Sequence, residues 1–514
     1  MNNTRFTFID LFAGIGGFKM ALSSNGGHCL GFSEINKDAI NTYCDNFQIE
    51  SSYNLGDVTK IEELPAHDLL TAGVPCQSWS IAGKNLGFDD DRGQLWNDTI
   101  YLLQQSQPKA FIFENVKGLV DPRNKKALSY ILERIQKAGY HANYFVINSF
   151  DYGVPQNRIR IYIVGFREKK YFQKFILPKS SDKKLKLGDI LGIEIKSSIY
   201  NGIVQMDLFG NIVESKTMSL SNTNGFNDYF LFNDLRNGHT TIHSWDIIDT
   251  TQRQKNICLL LLKNRRKSSY GELDGNPLSL AHFQDLDSFI NQDEINSLIQ
   301  LEILKKEEYG FIVKEYDVNN LTNEEKILLT FANDQKIIVD NLNIQRIFKI
   351  ERISIEKTIE SLKKKGVIEC NDVRYDFKNT KISTGLFGVN RIFLPSSDIF
   401  PTLVASDTND FITLKTIEAS SHDEFKYRFI QEIYKPKEFR KITKSEACLI
   451  QGFPKDFKFP ESRAKWMKLI GNSVSAPVID KLCKAIIETG VFENRQSIYL
   501  GNIDGKIAIT SLCA

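Results

Sequence analysis

What most constrains this chain is a succession of short apolar runs that stop abruptly at glycine, acid or cysteine. Residues 6 to 12 form a nearly unbroken apolar stretch that runs into Ala13-Gly14-Ile15-Gly16-Gly17, after which Phe18-Lys19-Met20-Ala21-Leu22 opens a helical pattern. Cys29-Leu30-Gly31-Phe32-Ser33 stops at Glu34, Leu69-Leu70-Thr71-Ala72 stops at Gly73-Val74-Pro75-Cys76, and Ala110-Phe111-Ile112-Phe113 stops at Glu114. Apolar runs of this length without alternation suit strands buried on both faces, and strands interleaved with helices specify an α/β sheet with parallel strands. In such sheets ligands bind beyond the carboxyl ends of the strands. The residues that stop the runs are therefore the candidates for function.

Each stopping residue has a chemistry. The glycine turn lets backbone approach a ligand closely, and the helix N-terminus behind it favours negative charge. Glu34, at the tip of the second strand, stands where a ribose diol is bound in dinucleotide folds. Gly56-Asp57-Val58 is expected to end a third unit, with Asp57 placed to accept from an amino group. Most cysteines in intracellular chains are small buried hydrophobes. Cys76 departs from that setting, because Pro75 fixes φ and removes a donor before it and the polar pair Gln77-Ser78 follows. Glu114 is a carboxylate aimed at the same sheet edge, and pocket carboxylates are the usual acid/base groups. Period-two alternation in Gln156-Asn157-Arg158-Ile159-Arg160-Ile161 puts Arg158 and Arg160 on one strand face. There they suit a phosphate or a base carbonyl. Residues 83 to 94 are polar and glycine-punctuated, as a loop that closes over a substrate would be.

Pro75-Cys76-Gln77, with Phe12-Ala13-Gly14-Ile15-Gly16-Gly17 upstream and Glu114-Asn115-Val116 downstream, resembles the cytosine-C5 DNA methyltransferases in both order and spacing. The likeness covers roughly the first 170 residues and the last 130 or so before the tail. Trp79 stands where the family more often has Phe. The resemblance implies a Rossmann-like methyltransferase sheet that binds S-adenosylmethionine, with a large separate target-recognition domain. It assigns Cys76, Glu114, Arg158 and Arg160 to catalysis. Phe12, Gly14, Gly16, Glu34, Ile35, Asp57, Val58, Pro75, Leu95, Asn472 and Val474 go to the cofactor, and Ser80 and Arg92 to DNA. Asn472 and Val474 belong to Gly471-Asn472-Ser473-Val474-Ser475-Ala476-Pro477, a segment that the family folds back beside the first glycine turn. Double-stranded DNA is the implied substrate, and a bacterial restriction-modification system with a partner endonuclease the implied setting. A tRNA methyltransferase and a non-catalytic DNA-binding regulator are the alternatives. The long middle of the chain favours a duplex reader over the first, and the presence of both Cys76 and Glu114 speaks against the second.

Composition enters at the DNA question. Lys+Arg number 65 against Asp+Glu 63, so any DNA surface must be local. The expected division is a catalytic domain over 1–189 completed by 467–490, a target-recognition domain over 190–466 and a tail over 491–514. Within the middle, Lys263-Asn264-Arg265-Arg266-Lys267 is the densest basic run, and Arg265 and Arg266 are the candidates to grip phosphate. Thr322-Asn323-Glu324-Glu325 is a capping box. A second helix carries Ile355, Ile359 and Leu362 on one face and ends at Gly366. Helices followed by a short hairpin near 315–380 fit a winged helix or a plain packing subdomain. Eight cysteines without a CxxC or Cys/His cluster argue against a zinc site or a disulfide framework, so no metal is expected. Without a charged-then-apolar leader or a run long enough to span a membrane, the reading is a soluble cytoplasmic protein, expected as a monomer.

Overall fold

The structure is a computed structural model that describes residues 4–75, 91–181, 184–194, 228–235, 240–339, 341–380 and 385–493, with the backbone of short strands at 205–206, 212–213, 501–503 and 506–508. Of residues 91–94 it describes the backbone alone.

Seven strands build the first part: β1 (Phe6–Leu11), β2 (Gly27–Ser33), β3 (Leu69–Gly73), β4 (Ala110–Val116), β5 (His141–Asn148), the short β6 (Gln156–Asn157) and β7 (Ile159–Phe166). Six of them form one sheet in the order β2-β1-β3-β4-β7-β5. Strands β1 to β4 pair in parallel, and β7 runs antiparallel to both of its neighbours. The chain steps from β1 to β2 on one side and to β3 on the other, so the switch point that opens a ligand crevice lies between β1 and β3. Helices α1 (Gly17–Ser23), α2 (Lys37–Phe47), α3 (Asp91–Ser106) and α4 (Lys125–Lys137) cover the sheet. The lack of alternation in the strand sequences has its cause here. Phe6 and Phe8 enter the core on one face, while Ile9 and Leu11 enter the core on the other with α3 and α4. The third sequence unit is not a strand. Residues 54–60 make one isolated bridge from Asn54 to Phe32 and a tight turn capped by Asp57, whose carboxylate accepts from the Thr59 amide.

Beyond residue 228 come β8 (Tyr229–Phe232), β9 (Thr241–Ile242), β10 (Leu278–Ser279), β11 (Leu304–Val313), β12 (Lys336–Ile338), β13 (Ile368–Phe377), β14 (Arg391–Phe393), β15 (Phe400–Pro401) and β16 (Asp410–Ile412). One four-stranded sheet has the order β9-β8-β14-β16 and a second the order β10-β13-β11-β12. The second sheet carries α5 (Asn323–Leu329), α6 (Leu342–Ile350) and α7 (Ile355–Lys364). The capping box at Thr322 is present, its hydroxyl taking the Glu325 amide while the Glu325 carboxylate takes the Thr322 amide. The strand after α7 does not turn back into a hairpin. It pairs with β11, which precedes α5 in the chain, over ten residues from Leu304↔Phe377 to Val313↔Ile368.

The return to the first sheet begins earlier than residue 467. Helix α8 (Lys444–Gln451) sends Ala447 and Ile450 into a core with Leu187, Phe400 and Ile470, and Cys448 into another with Ile15 of the glycine turn and Ala39 of α2. A helix with apolar residues on two sides has to sit between two bodies, which the sequence period alone does not reveal. Helices α9 (Arg463–Asn472) and α10 (Ala476–Glu488) follow, and α10 lays Val478, Leu482 and Ile486 onto the Phe6/Phe8 face of the sheet. In the tail, Gly501–Ile503 and Lys506–Ala508 pair antiparallel.

Candidate active site

A cavity of about 320 Å³ opens at the switch point, within the usual size range of small-molecule sites. Its walls include Phe12 and Gly14 from the first turn, Glu34 and Ile35 beyond β2, Asp57 and Val58 from the capped turn, Pro75 beyond β3, and Leu95 of α3. Gly14 has a φ of +56°, and a Cβ placed on it meets nothing within 4 Å, so glycine here serves a left-handed backbone and leaves an open wall. Glu34 is fixed by three backbone donors: Oε2 takes the Gly14 amide at 2.9 Å, and Oε1 takes the amides of Ile35 and Asn36 at 2.8 Å. Asn54 holds the same tip, its Oδ1 accepting from the Glu34 amide at 3.0 Å and its Nδ2 donating to the Glu34 carbonyl at 2.9 Å. Sequence reasoning passed over Asn54. An amide beside Gly56 is the only local sign of it.

On the opposite wall stand Glu114 and Arg160. Strand pairing sets Glu114 beside Gly73, three residues before Cys76. Arg160 places Nε 3.1 Å from Glu114 Oε1, and both side chains are nearly buried. Burial pushes the Glu114 carboxyl above its ordinary range, while Arg160 and then Arg158 oppose that rise. A carboxyl so placed, held by Arg160 at the cavity, is oriented to hydrogen-bond a ligand there. Asn115 is buried and donates Nδ2 to the Val74 carbonyl at 3.2 Å, tying the strand tip that bears Glu114 to the loop that leads to the cysteine. Cys76 and Ser80 lie outside the described residues, as does the side chain of Arg92.

Arg158 reaches the cavity wall but not as a free cation. It precedes β7, so its side chain does not share the strand alternation with Arg160. Its guanidinium donates to the carbonyls of Gly471 at 3.2 and 3.3 Å, Ser473 at 2.6 Å and Leu403 at 3.4 Å. Gln451, at the end of α8, adds Nε2 to the Ser473 carbonyl at 3.1 Å. This pair clamps the segment after α9 from behind, so that Gly471 and Asn472 present themselves to the cavity. Arg158, expected among the catalytic residues, is thus held by backbone carbonyls at the cavity wall, in a place that suits positioning of this segment. Two residues expected at the cofactor, Val474 and Gly16, make packing contacts. Val474 packs against Gly17, where an added Cβ would lie 2.7 Å from its Cγ2, and Gly16 is pressed against Phe47 and Tyr43. Neither lines the cavity.

With the site assembled, the comparisons decide the family. Residues 6–488 match the model of the C-5 cytosine-specific DNA methylases. The chain belongs to that family. It is 40% identical to the type II methyltransferase M.HgiBI of Herpetosiphon aurantiacus over 492 residues, covering 95% of this chain and 98% of that one. It is 29% identical to the type II methyltransferase M.NlaIV of Neisseria lactamica, covering 94% and 99%. Among solved structures, the Entamoeba histolytica methyltransferase EhMeth aligns over 94% of this chain and 98% of its own, at 14% identity and a TM-score of 0.45.

In this methylase the basic run of the middle region does not present both of its arginines. Arg265 is buried, and its Nη2 lies 2.7 Å from Asp376 Oδ2 of β13. A guanidinium so enclosed holds two segments together, whereas Arg265 is expected from the sequence to grip phosphate. Arg266 remains half-exposed, 3.5 Å from Asp274. His243 is buried and stacks on Trp245 at a centroid distance of 4.1 Å. Among the described residues no group of three His, Cys, Asp or Glu side chains is gathered for a metal, and no helix is long and apolar enough to cross a membrane.

Proposed function

We propose that this methylase acts on a cytosine rotated out of double-stranded DNA at a specific sequence, through a covalent bond between Cys76 and C6 of the base. Cytosine is electron-poor at C6 and inert at C5, so a nucleophile has to add before C5 can accept a methyl group. The Cys76 thiolate adds to C6, and the ring electrons move toward N3 and C5. Glu114 meets that charge by hydrogen bonds to N3 and the exocyclic amine. Arg160 on Oε1 holds the carboxyl in orientation for those hydrogen bonds. Phe12, Gly14, Glu34, Asp57, Leu95 and Asn472 surround a cavity of adenosyl size whose acids suit a ribose diol and an adenine amine. S-adenosylmethionine held there supplies the methyl group to C5. Loss of the C5 proton to a base and departure of Cys76 from C6 restore the aromatic ring and the thiolate.

The single observation that carries the reading is the buried Glu114–Arg160 pair at 3.1 Å on the wall opposite Glu34. It sets an acid and an adenosyl-type cradle on either side of the tip that leads to Cys76. Rotation of the base out of the stack costs a few kcal/mol, which contacts of the flipped base in this cavity must offset. Relatives named as type II methyltransferases support a setting in which methylation protects host DNA from a partner endonuclease in a bacterial cytoplasm.

The test is a duplex carrying 5-fluorocytosine at the target, incubated with the methyl donor. Fluorine cannot leave C5 as a proton does, so a denaturation-resistant adduct accumulates. Cys76→Ser abolishes it. An adduct that persists in that variant removes Cys76 from the mechanism.

A further inference from the structure

The subdomain built on α5, α6 and α7 has a use that the cavity chemistry does not require. Its three strands stand in the order β12-β11-β13, with β11 antiparallel to both neighbours. Helix α5 packs on α7, and α6 and α7 are joined by the four residues 351–354. A first helix, a strand, then two helices across a short turn, closed by a strand of a three-stranded antiparallel sheet, is the arrangement of winged helix-turn-helix units. Here the middle strand comes from before the first helix instead of from after the last, a permutation of the same layout.

The unit has its own core. Leu328, Ile337, Ile344, Phe348, Leu362 and Ile368 are buried together at one end of the β11/β13 ribbon. The other end, with Leu304, Tyr375 and Phe377, belongs to a different core around Trp245 and Leu261. Nine paired positions at about 3.4 Å each make a ribbon of roughly 30 Å, so the helix-turn-helix is carried on an arm.

Charge is sorted across this unit. Ile344 and Phe348 of α6 face inward, which leaves Arg346 and Lys349, three apart, on the outward side. Thr358 and Leu362 of α7 face inward, which leaves Lys357 and Lys364 outward, and Arg352 stands in the turn between the helices. All five cations are exposed, and among the described residues none has an acidic partner within 4 Å. The acids lie on the other edge of α7. Glu356 and Glu360 line a groove with Glu307 and Glu308 of β11, and Lys363 neutralises Glu308 at 2.6 Å. Glu351 in the turn is the exception to this sorting, and a packed strut alone would have no cause to keep five exposed cations without an acidic partner among the described residues.

We propose that residues 342–364 are a helix-turn-helix that grips the phosphate backbone of the duplex flanking the target site, through Arg346, Lys349, Arg352, Lys357 and Lys364. This rests on the reading of the chain as a duplex-DNA methylase. The contacts position the protein and carry no chemistry. They supply affinity and lengthen the footprint, while the methylated sequence is chosen elsewhere.

The experiment uses the full chain with Arg346, Lys349, Arg352 and Lys357 all changed to Gln, a 40-base-pair cognate duplex, and a salt titration. Each lost phosphate contact makes the slope of log affinity against log salt less steep by about 0.9, up to about 3.6 for four. The KM for DNA rises, kcat at saturating DNA stays within about twofold, the protected stretch in a footprint shortens, and the methylated sequence is unchanged. As a control, Glu356→Gln with Glu360→Gln leaves the salt slope in place. If the quadruple variant keeps the wild-type slope and footprint while still forming the 5-fluorocytosine adduct, the arm does not touch DNA and the proposal is wrong. If wild type itself forms no adduct, the reading of the function fails instead, whatever the slopes do.

Discussion

Replacement of Arg158 by Met separates a positioning role from a catalytic one. The buried guanidinium satisfies the carbonyls of Gly471, Ser473 and Leu403, and methionine fills much of the same volume without a donor. Hydrogen bonds to a charged group contribute about 1.5–3 kcal/mol each, and an unsatisfied buried carbonyl costs about 1–3 kcal/mol. Three carbonyls would give roughly 3–9 kcal/mol; removal of a buried cation recovers part of that, so about 4 kcal/mol is the expected net loss. For a cooperative unit of ordinary domain size this lowers the melting temperature by roughly 10 °C. Calorimetry of wild type, Arg158→Met and Arg158→Lys checks it, and lysine rescues little because one ammonium cannot span three carbonyls. Since Gly471 and Asn472 are set by this clamp, cofactor affinity measured without DNA weakens in parallel. An Arg158→Met protein that melts with wild type and binds S-adenosylmethionine normally, yet forms no 5-fluorocytosine adduct, would refute the clamp and return Arg158 to the substrate.

Two further outcomes follow from buried charge. Asp10 on β1 is fully buried beside Thr71, whose hydroxyl donates to it at 3.0 Å, and burial pushes its carboxyl from 3.8 up to about 7. A folded-state pKa above the unfolded one means stability that is fully present below about 4 and is lost as pH rises through about 7. Between pH 5 and 8 wild type should lose about 2–3 kcal/mol that Asp10→Asn does not lose, and parallel pH profiles of melting temperature for the two proteins would sink the assignment. Arg265→Met strands Asp376 and should destabilise by about 3–5 kcal/mol, whereas Arg266→Ala changes stability by less than about 0.5 kcal/mol; equal melting temperatures for the two variants would show that the buried pair does not hold the middle region.

The sheet was legible in the sequence because its strands are buried on both faces, so Phe8 and Ile9 are both apolar and the runs stand out without alternation. The glycine turn, Glu34, Pro75 and Glu114 were legible for a related reason: a residue that stops such a run is delivered to the crevice by chain connectivity alone. What only the tertiary structure decided depends on partners distant in sequence. Arg158 and Arg160 look equivalent two residues apart, yet one is captured by carbonyls more than 240 residues away and the other by Glu114 on the adjacent strand. Val474 packs on Gly17, and Gly16 on Phe47 and Tyr43, contacts that local sequence does not reveal. Arg265 reads as part of a phosphate-binding run until Asp376, 111 residues on, encloses it. The winged arrangement needed β11, contributed from before its first helix, to complete the sheet. Local order in a chain determines which groups arrive at a strand tip or helix end, because backbone geometry and hydrophobic period act over a few residues. Which of those groups stays free to act is decided by the long-range contacts that bury and satisfy the rest, since a buried polar group takes whatever partner folding brings to it.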